Sequence, residues 1–317
     1  MKLIAPDYYK DFKCIAGDCR HSCCIGWEID VDPDKLAYYD TITGPLADRL
    51  QKGIDSTAQP PHFILGEHER CPFLNQEGLC DLIIGLGEDI LCQICRDHPR
   101  YRSFFVGRTE IGVGLCCEAA AALILKKTEK TTLVTLEDDG EPDDLPPADL
   151  SLLEWRALLT DIAQDRSQNI EDRAQAILEE AQLALPDYTL SQWVDIYLEL
   201  ERLEESWTDR LLELKNADLS AVPFPNDEAW ETAFEQLLVY FLYRHLPGAL
   251  DDGDYEGRAA FAVLSYKIIR ALCHVHAVLH GMVTMDDLIE ISRQYSAEIE
   301  YSDENVEALL DALFIEE

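Results

Sequence analysis

Ten of the eleven cysteines fall within the first 117 residues of a 317-residue chain, and only Cys273 lies beyond them. They form four groups: Cys14-x4-Cys19-x3-Cys23-Cys24; Cys71 and Cys80, in Cys71-Pro72-Phe73-Leu74-Asn75-Gln76-Glu77-Gly78-Leu79-Cys80; Cys92-Gln93-Ile94-Cys95; and Cys116-Cys117. Thiolates suit zinc and iron–sulfur centres, and short spacings let one turn of backbone present several sulfurs to one ion. Cysteine is also a small buried apolar residue, but that use does not account for so dense a cluster. Four thiolates complete either a tetrahedral zinc site or a [4Fe–4S] cluster, so ten support two centres, or one centre with spare thiols. Vicinal cysteines in an extended segment point to opposite faces, so Cys23 and Cys24 need not serve the same centre. Cys19 and Cys23 fit the first half of the radical-SAM spacing, but Gly26 stands where its third thiol belongs. Spacing alone does not choose the metal.

Residues 1–10 lack the apolar stretch of a secretory leader, and no run of residues approaches the length of a membrane span. A cytoplasmic protein with reduced thiols is expected, which favours metal or thiol chemistry over a disulfide framework. Charge narrows the partners. The 62 acidic and 26 basic residues leave a formal net charge of −36. A field of that sign repels phosphate and anionic lipid, so neither nucleic acid nor a membrane is an expected partner. The charge is also unevenly placed: residues 1–117 hold 18 of the acidic and 12 of the basic side chains, and the remainder holds the rest.

Two regions follow. Residues 1–127 read as a Cys-rich, irregular metal-binding region with short elements. Trp27–Asp32 alternates apolar and acidic residues as a half-buried strand does, and Glu118–Lys127 is rich in helix formers. Residues 128–150 read as an acidic linker, centred on the Pro-containing run Glu137–Pro147. Residues 151–317 read as an all-helical domain. Thr189-Leu190-Ser191-Gln192 resembles a capping box, opening a helix whose apolar face runs from Trp193 and Tyr197 to Leu211 and Leu214. Further helices are expected near 228–245, 256–280, 285–296 and 304–314. The fold class is mainly α: a Cys-rich N-terminal region with short strands, then an all-helical C-terminal region.

The order of these motifs carries a resemblance. A cluster ending in Cys23-Cys24, then Cys71-Pro72-Phe73-Leu74, Gly78-Leu79-Cys80 and Cys95-Arg96-Asp97-His98-Pro99, resembles the CxxCxxCC zinc- or iron-chelating family. Three segments are closer to the flagellin lysine-N-methylase (FliB-type) branch: Cys23–Asp30, Leu91–Pro99 and Cys116-Cys117-Glu118-Ala119-Ala120. Tyr243-Arg244-His245 and the run Tyr295–Asn305 are similar to that branch's C-terminal signatures. Departures exist: Cys117 stands where a Pro usually follows the last cysteine, and Ala297 and Tyr301 stand where Arg and His are common. The resemblance implies a [4Fe–4S] protein, with zinc as the alternative metal. It implies methyl transfer from S-adenosylmethionine to lysine side chains of flagellin or another lysine-bearing protein. The implied ligand set is Cys14, Cys19, Cys23, Cys24, Cys71, Cys80, Cys92, Cys95 and Cys116, without Cys117.

Such a transfer needs a neutral amine, and lysine is nearly all protonated at neutral pH, so a proton acceptor is required. Glu118, Tyr295 and Glu298 are the candidate catalytic residues, each with an ordinary structural use as alternative. Arg96 and Arg100 are candidates for a cofactor carboxylate or the charge of a cluster. Gly112-Val113-Gly114 is only a fragment of a nucleotide-binding signature. Cys273, His276 and His280 share a helical face, but their apolar neighbours mark a core helix. The alternative to an enzyme is a non-enzymatic zinc- or iron-chelating or redox-sensing module.

Overall fold

The computed structural model describes residues 1–314 apart from Trp27, Asp143 and Asn226. The expected strand at 27–32 therefore begins on a residue outside the described ones. The chain divides into two compact units, residues 13–101 and residues 1–12 with 102–317. This division differs from the expected one because the first residues form strand β1 (Lys2–Pro6), which belongs with the later part of the chain.

Residues 13–101 are built from short pieces: α1 (Pro33–Tyr39), α2 (Pro45–Gly53), β2 (Ile54–Asp55), β3 (His62–Phe63), α3 (Asp81–Leu86) and α4 (Gln93–Asp97). Pro33 and Pro45 open their helices, where the missing N–H is no loss. The alternation at 28–32 buries Ile29 and Val31 as expected, yet it makes one isolated bridge, Asp30 to His62, instead of a strand. Beside the bridge, Val31 N donates to Pro61 O at 2.7 Å and Phe63 N to Ile29 O at 2.9 Å. The core gathers Ile29, Val31, Leu50, Phe63, Phe73 and Leu82, with Phe63 and Phe73 edge to face at 4.9 Å. Helices this short do not stand without tertiary support.

The other unit opens on β1 and is re-entered through β4 (Arg100–Phe105), β5 (Arg108–Val113), α5 (Glu118–Leu125) and β6 (Leu133–Asp138). The sheet order is β4-β5-β1-β6, with β1 parallel to β5 and antiparallel to β6. The segment expected as a linker thus contains a strand: Leu133–Asp138 pairs with Lys2–Pro6, and Asp7 N donates to Thr132 O.

Helices follow: α6 (Pro147–Ala163), α7 (Ile170–Ala181), α8 (Leu190–Glu199), α9 (Glu205–Asn216), α10 (Glu228–His245), α11 (Ala249–Asp252), α12 (Tyr255–His280), α13 (Met285–Tyr295) and α14 (Asp303–Ala312). Between α13 and α14 the backbone widens into a π-helical turn, Ser296–Glu300. The capping box at Thr189 and Gln192 is present. The long helix expected from Trp193 to Leu214 is two helices. It breaks because the N–H groups of Leu203 and Glu204 are satisfied by the Glu298 carboxylate at 2.8 and 2.9 Å instead of by a preceding turn. Helix α10 is buried on nearly every side and packs against α12, α6, α5 and α7. Helix α12 is long and apolar enough to cross a membrane by length and composition, an exception to the sequence reading. Its most apolar stretch is mostly buried, against α10, α7 and α13.

Candidate functional site

In residues 13–101 the thiols converge by backbone pairing. Cys71 N donates to Cys24 O at 2.9 Å, which lays the second cysteine group beside the first. Leu74 bridges to Cys80, so the Asn75–Gly78 turn folds Cys80 back toward Cys71. Gly78 sits at a φ of +76°, a conformation that suits glycine at this turn. Cys92 caps α4, with Gln93 N held by the Asp32 carboxylate at 2.6 Å, and the first turn of that helix presents Cys95. Cys71 and Cys92 are core residues, and Cys24, Cys80 and Cys95 pack against the same core.

The electrostatics show the same closeness. Cys24 hydrogen-bonds Cys23, which draws the Cys23 thiol down to about 7 and pushes that of Cys24 up, with burial, Cys71 and Cys80 adding to the rise. Cys95 is raised first by its hydrogen bond to Cys92 and then by burial, with Cys24 and Cys71 adding. Burial pushes Cys71 up to about 11, with Cys80 and Cys92 contributing. Six sulfurs, those of Cys23, Cys24, Cys71, Cys80, Cys92 and Cys95, are therefore electrostatic neighbours. Uncharged thiols packed this way resist ionising in each other's company, and a cation relieves that repulsion. The donor set fits zinc or a cluster in its chemistry. Among the described residues no group of three or more His, Cys, Asp or Glu side chains is drawn tightly enough to close on an ion in this geometry.

The remaining expected ligands are Cys14, Cys19 and Cys116. Cys14 is exposed on the leading loop, where Ala16 N donates to its sulfur, and Cys19 donates to His21 O at 2.8 Å. Cys116 belongs to the other compact unit. Arg96 donates to Gln93 and Arg100 to Arg96 O, so both guanidinium groups engage α4.

The helical unit holds a second constellation. Glu300, at the end of the π-helical turn, is fully buried. Arg244 Nε lies 3.1 Å from its carboxylate, His245 Nε2 lies 2.7 Å from it, and Tyr240 Oη donates to it at 3.1 Å. Burial works against the Glu300 charge, but Arg244 and His245 outweigh it and hold the carboxyl below its usual range. Burial also lowers His245, despite Glu300 favouring its cation, which leaves a neutral ring donating to a carboxylate.

The network reaches the turn before α5. Leu115 N donates to Tyr240 Oη at 3.1 Å, and Arg244 lies over the Tyr301 ring at 4.9 Å. A Cβ on Gly114 would stand 2.6 Å from Tyr301 Oη and 2.8 Å from Arg244 Nη1, so a larger residue here would have to displace the ends of those side chains. Burial pushes Cys116 up to about 12, against a hydrogen bond from Tyr301 and the charge of Arg244.

The three expected catalytic residues do not meet. Tyr295 is fully buried, bonded to Tyr197 and Ser265 at 3.0 and 2.9 Å. Glu298 is buried and caps the α9 entrance. Glu118 opens α5 and keeps partial exposure. Sequence reasoning missed Glu300 and Tyr240. Arg244 and His245 stood in one motif and Glu300 in another, and the pairing between motifs was the signal left unread.

Comparison with known proteins bears on this second constellation. Residues 187–317 match the family model of the FliB lysine N-methylase C-terminal domain. The match agrees with the resemblance that the motifs carry, and Tyr240, Arg244, His245 and Glu300 all lie within the matched residues. Among similar proteins is a lysine-N-methylase of Salmonella choleraesuis (strain SC-B67), 27% identical over 142 residues. That match covers 40% of this chain and 33% of the relative, and a lysine-N-methylase of Salmonella typhimurium matches to the same extent. The chain therefore spans about a third of the length of these relatives. The flagellar biosynthetic protein FliU of Salmonella muenchen is 23% identical over 141 residues, covering 40% of this chain and 79% of that protein. No solved structure matches the chain.

Proposed function

We propose that the chain is a protein-lysine N-methyltransferase of the FliB type, transferring methyl from S-adenosylmethionine to lysine side chains of flagellin or a similar lysine-bearing protein. The match of residues 187–317 to the FliB lysine N-methylase C-terminal domain carries this reading. Two lysine-N-methylases and a flagellar biosynthetic protein among the relatives agree with it. The thiol pocket is proposed to hold a [4Fe–4S] cluster, with zinc as the alternative, on four of Cys23, Cys24, Cys71, Cys80, Cys92 and Cys95. A bound centre supplies positive charge to neighbouring thiolates and cross-links a unit of short helices.

The residues of the chain set limits on the rest. Methyl transfer requires amine, methyl and sulfur in line, which is mostly positioning. It also requires a group to take the ammonium proton. Of the expected catalytic residues, Glu118 keeps solvent access, whereas Tyr295 and Glu298 are enclosed by their own partners. The acidic surface of the helical region is proposed to attract the cationic lysine-bearing partner.

The test is one preparation. The protein is purified without oxygen, and its iron, sulfide and zinc are counted. It is then incubated with flagellin and S-adenosylmethionine, and flagellin is read by intact mass. Mass steps of one methyl replacement on lysine support the reading. Unchanged flagellin with a fully loaded centre overturns the transferase and leaves a metal-binding module.

A further inference from the structure

Adjacent tyrosines at the end of α1 have opposite surroundings. Tyr38 is 42% exposed, whereas Tyr39 is 3% exposed and its phenol enters the core that holds the thiols. Its hydroxyl donates to Ile90 O at 2.8 Å, and the Cys92 sulfur lies 3.6 Å from the same oxygen. A phenol has one proton to give. While Cys92 is a thiol, its S–H can donate to the Tyr39 oxygen and the phenol can keep Ile90. A metal-bound thiolate can only accept, so the Tyr39 proton is then drawn to the sulfur. Cys92 also receives a main-chain hydrogen bond from Asp32, whose carboxylate in turn fixes Gln93 N at 2.6 Å. The Asp32 main chain and the Tyr39 hydroxyl thus both lie within hydrogen-bonding reach of this sulfur.

We propose that Tyr39 tunes and retains the thiolate-bound centre by hydrogen-bonding the Cys92 sulfur. The inference rests on the reading of the thiol pocket as a metal or cluster site, and it adds Cys92 as a ligand with a dedicated donor. Hydrogen bonds to a ligating sulfur draw off its electron density, stabilise the reduced and more negative state of a cluster, and protect the metal–sulfur bond. Tyr39 is a positioning and tuning residue, since it acts on the centre through Cys92.

The experiment compares wild type, Tyr39→Phe, 3-fluorotyrosine placed at position 39, and Tyr38→Phe as control. For an iron–sulfur centre the readout is the one-electron midpoint potential of loaded protein in mediators poised by an added reductant. Tyr39→Phe is expected to shift the oxidised-to-reduced ratio about tenfold at fixed poise, about 59 mV toward negative potential. Fluorotyrosine, a stronger donor of nearly the same volume, is expected to shift it the other way, and Tyr38→Phe not at all. For a zinc or non-reducible centre the readout is transfer of metal to a chelator. It is expected several-fold faster in Tyr39→Phe and slower with fluorotyrosine. A loaded Tyr39→Phe protein with unmoved potential and release rate overturns the role of Tyr39 alone. If Tyr39→Phe does not load, the fluorotyrosine protein decides by the same signs, and no shift overturns the proposal. Wild type that carries neither iron nor zinc removes the centre itself, and the proposal with it.

Discussion

Replacing Glu300 by Gln removes a charge from the middle of the helical unit while keeping the shape of the side chain. Arg244, whose guanidinium is only 10% exposed, then loses the carboxylate that lies 3.1 Å from its Nε. His245 loses the acceptor of its Nε2–H at 2.7 Å. Breaking a buried ion pair from one side costs about 3–5 kcal/mol, because the remaining charge stays desolvated. For a unit of this size that corresponds to a fall in Tm of roughly 6–20 °C. Differential scanning calorimetry of wild type, Glu300→Gln, Arg244→Met and the double variant measures it. The double variant is expected to recover part of the loss, since it removes both charges of the buried pair. The pH dependence follows with the same sign for both groups. His245 and Glu300 each have a folded-state pKa below the unfolded value, so the unfolded chain binds the extra protons. Their stabilisation is complete above the ordinary histidine range. It falls first as pH drops below about 6.5 and again below about 4.3. Glu300→Gln should flatten the lower step. A loss under about 1 kcal/mol, the size of an exposed pair, would refute the argument that this network is desolvated and holds the turn before α5.

Gly114→Ala forces a methyl against Tyr301 Oη and Arg244 Nη1. We expect a loss of about 1–3 kcal/mol in urea unfolding, partly relieved by adding Tyr301→Phe. Among the thiols, Cys71→Ser and Cys95→Ser should lower bound metal severely, whereas Cys14→Ser, on the exposed loop, should retain it; metal analysis after anaerobic purification decides. Capture of flagellin should weaken as salt rises from low to physiological ionic strength, and salt-independent binding would remove the acidic surface from the account.

The helices were legible because their faces repeat at helical period and their caps are local: Thr189 with Gln192 needs only four residues. The break at Leu200–Glu204 was not, since the carboxylate that stabilises it comes from Glu298, far along the chain. Strand β6 hid in an acidic stretch because edge strands tolerate charge, and its partner β1 lies at the other end of the N-terminal region. In the candidate site, residue type was readable and grouping was not. Cysteines announce metal chemistry one by one, but only the Cys24–Cys71 backbone pairing and the turn at Gly78 tell which ones meet. Glu300 escaped notice for a plainer reason. A glutamate in an acidic protein carries no signal until its arginine and histidine are seen beside it.

The grouping also changes what the cysteine count means. Cys273 is a core residue of α12, raised by burial. Cys116 and Cys117 belong to the turn that Tyr240, Arg244 and Tyr301 hold. Cys14 and Cys19 make their described hydrogen bonds within the leading loop. Within residues 13–101, six sulfurs are electrostatic neighbours, enough for one four-thiolate centre. The leading loop's Cys14 is exposed and lacks the enclosure that makes the buried Cys71 thiol costly to ionise without a cation. If a centre is held on these thiols as proposed, the repulsion that it would relieve lies where Cys24, Cys71, Cys80 and Cys95 crowd.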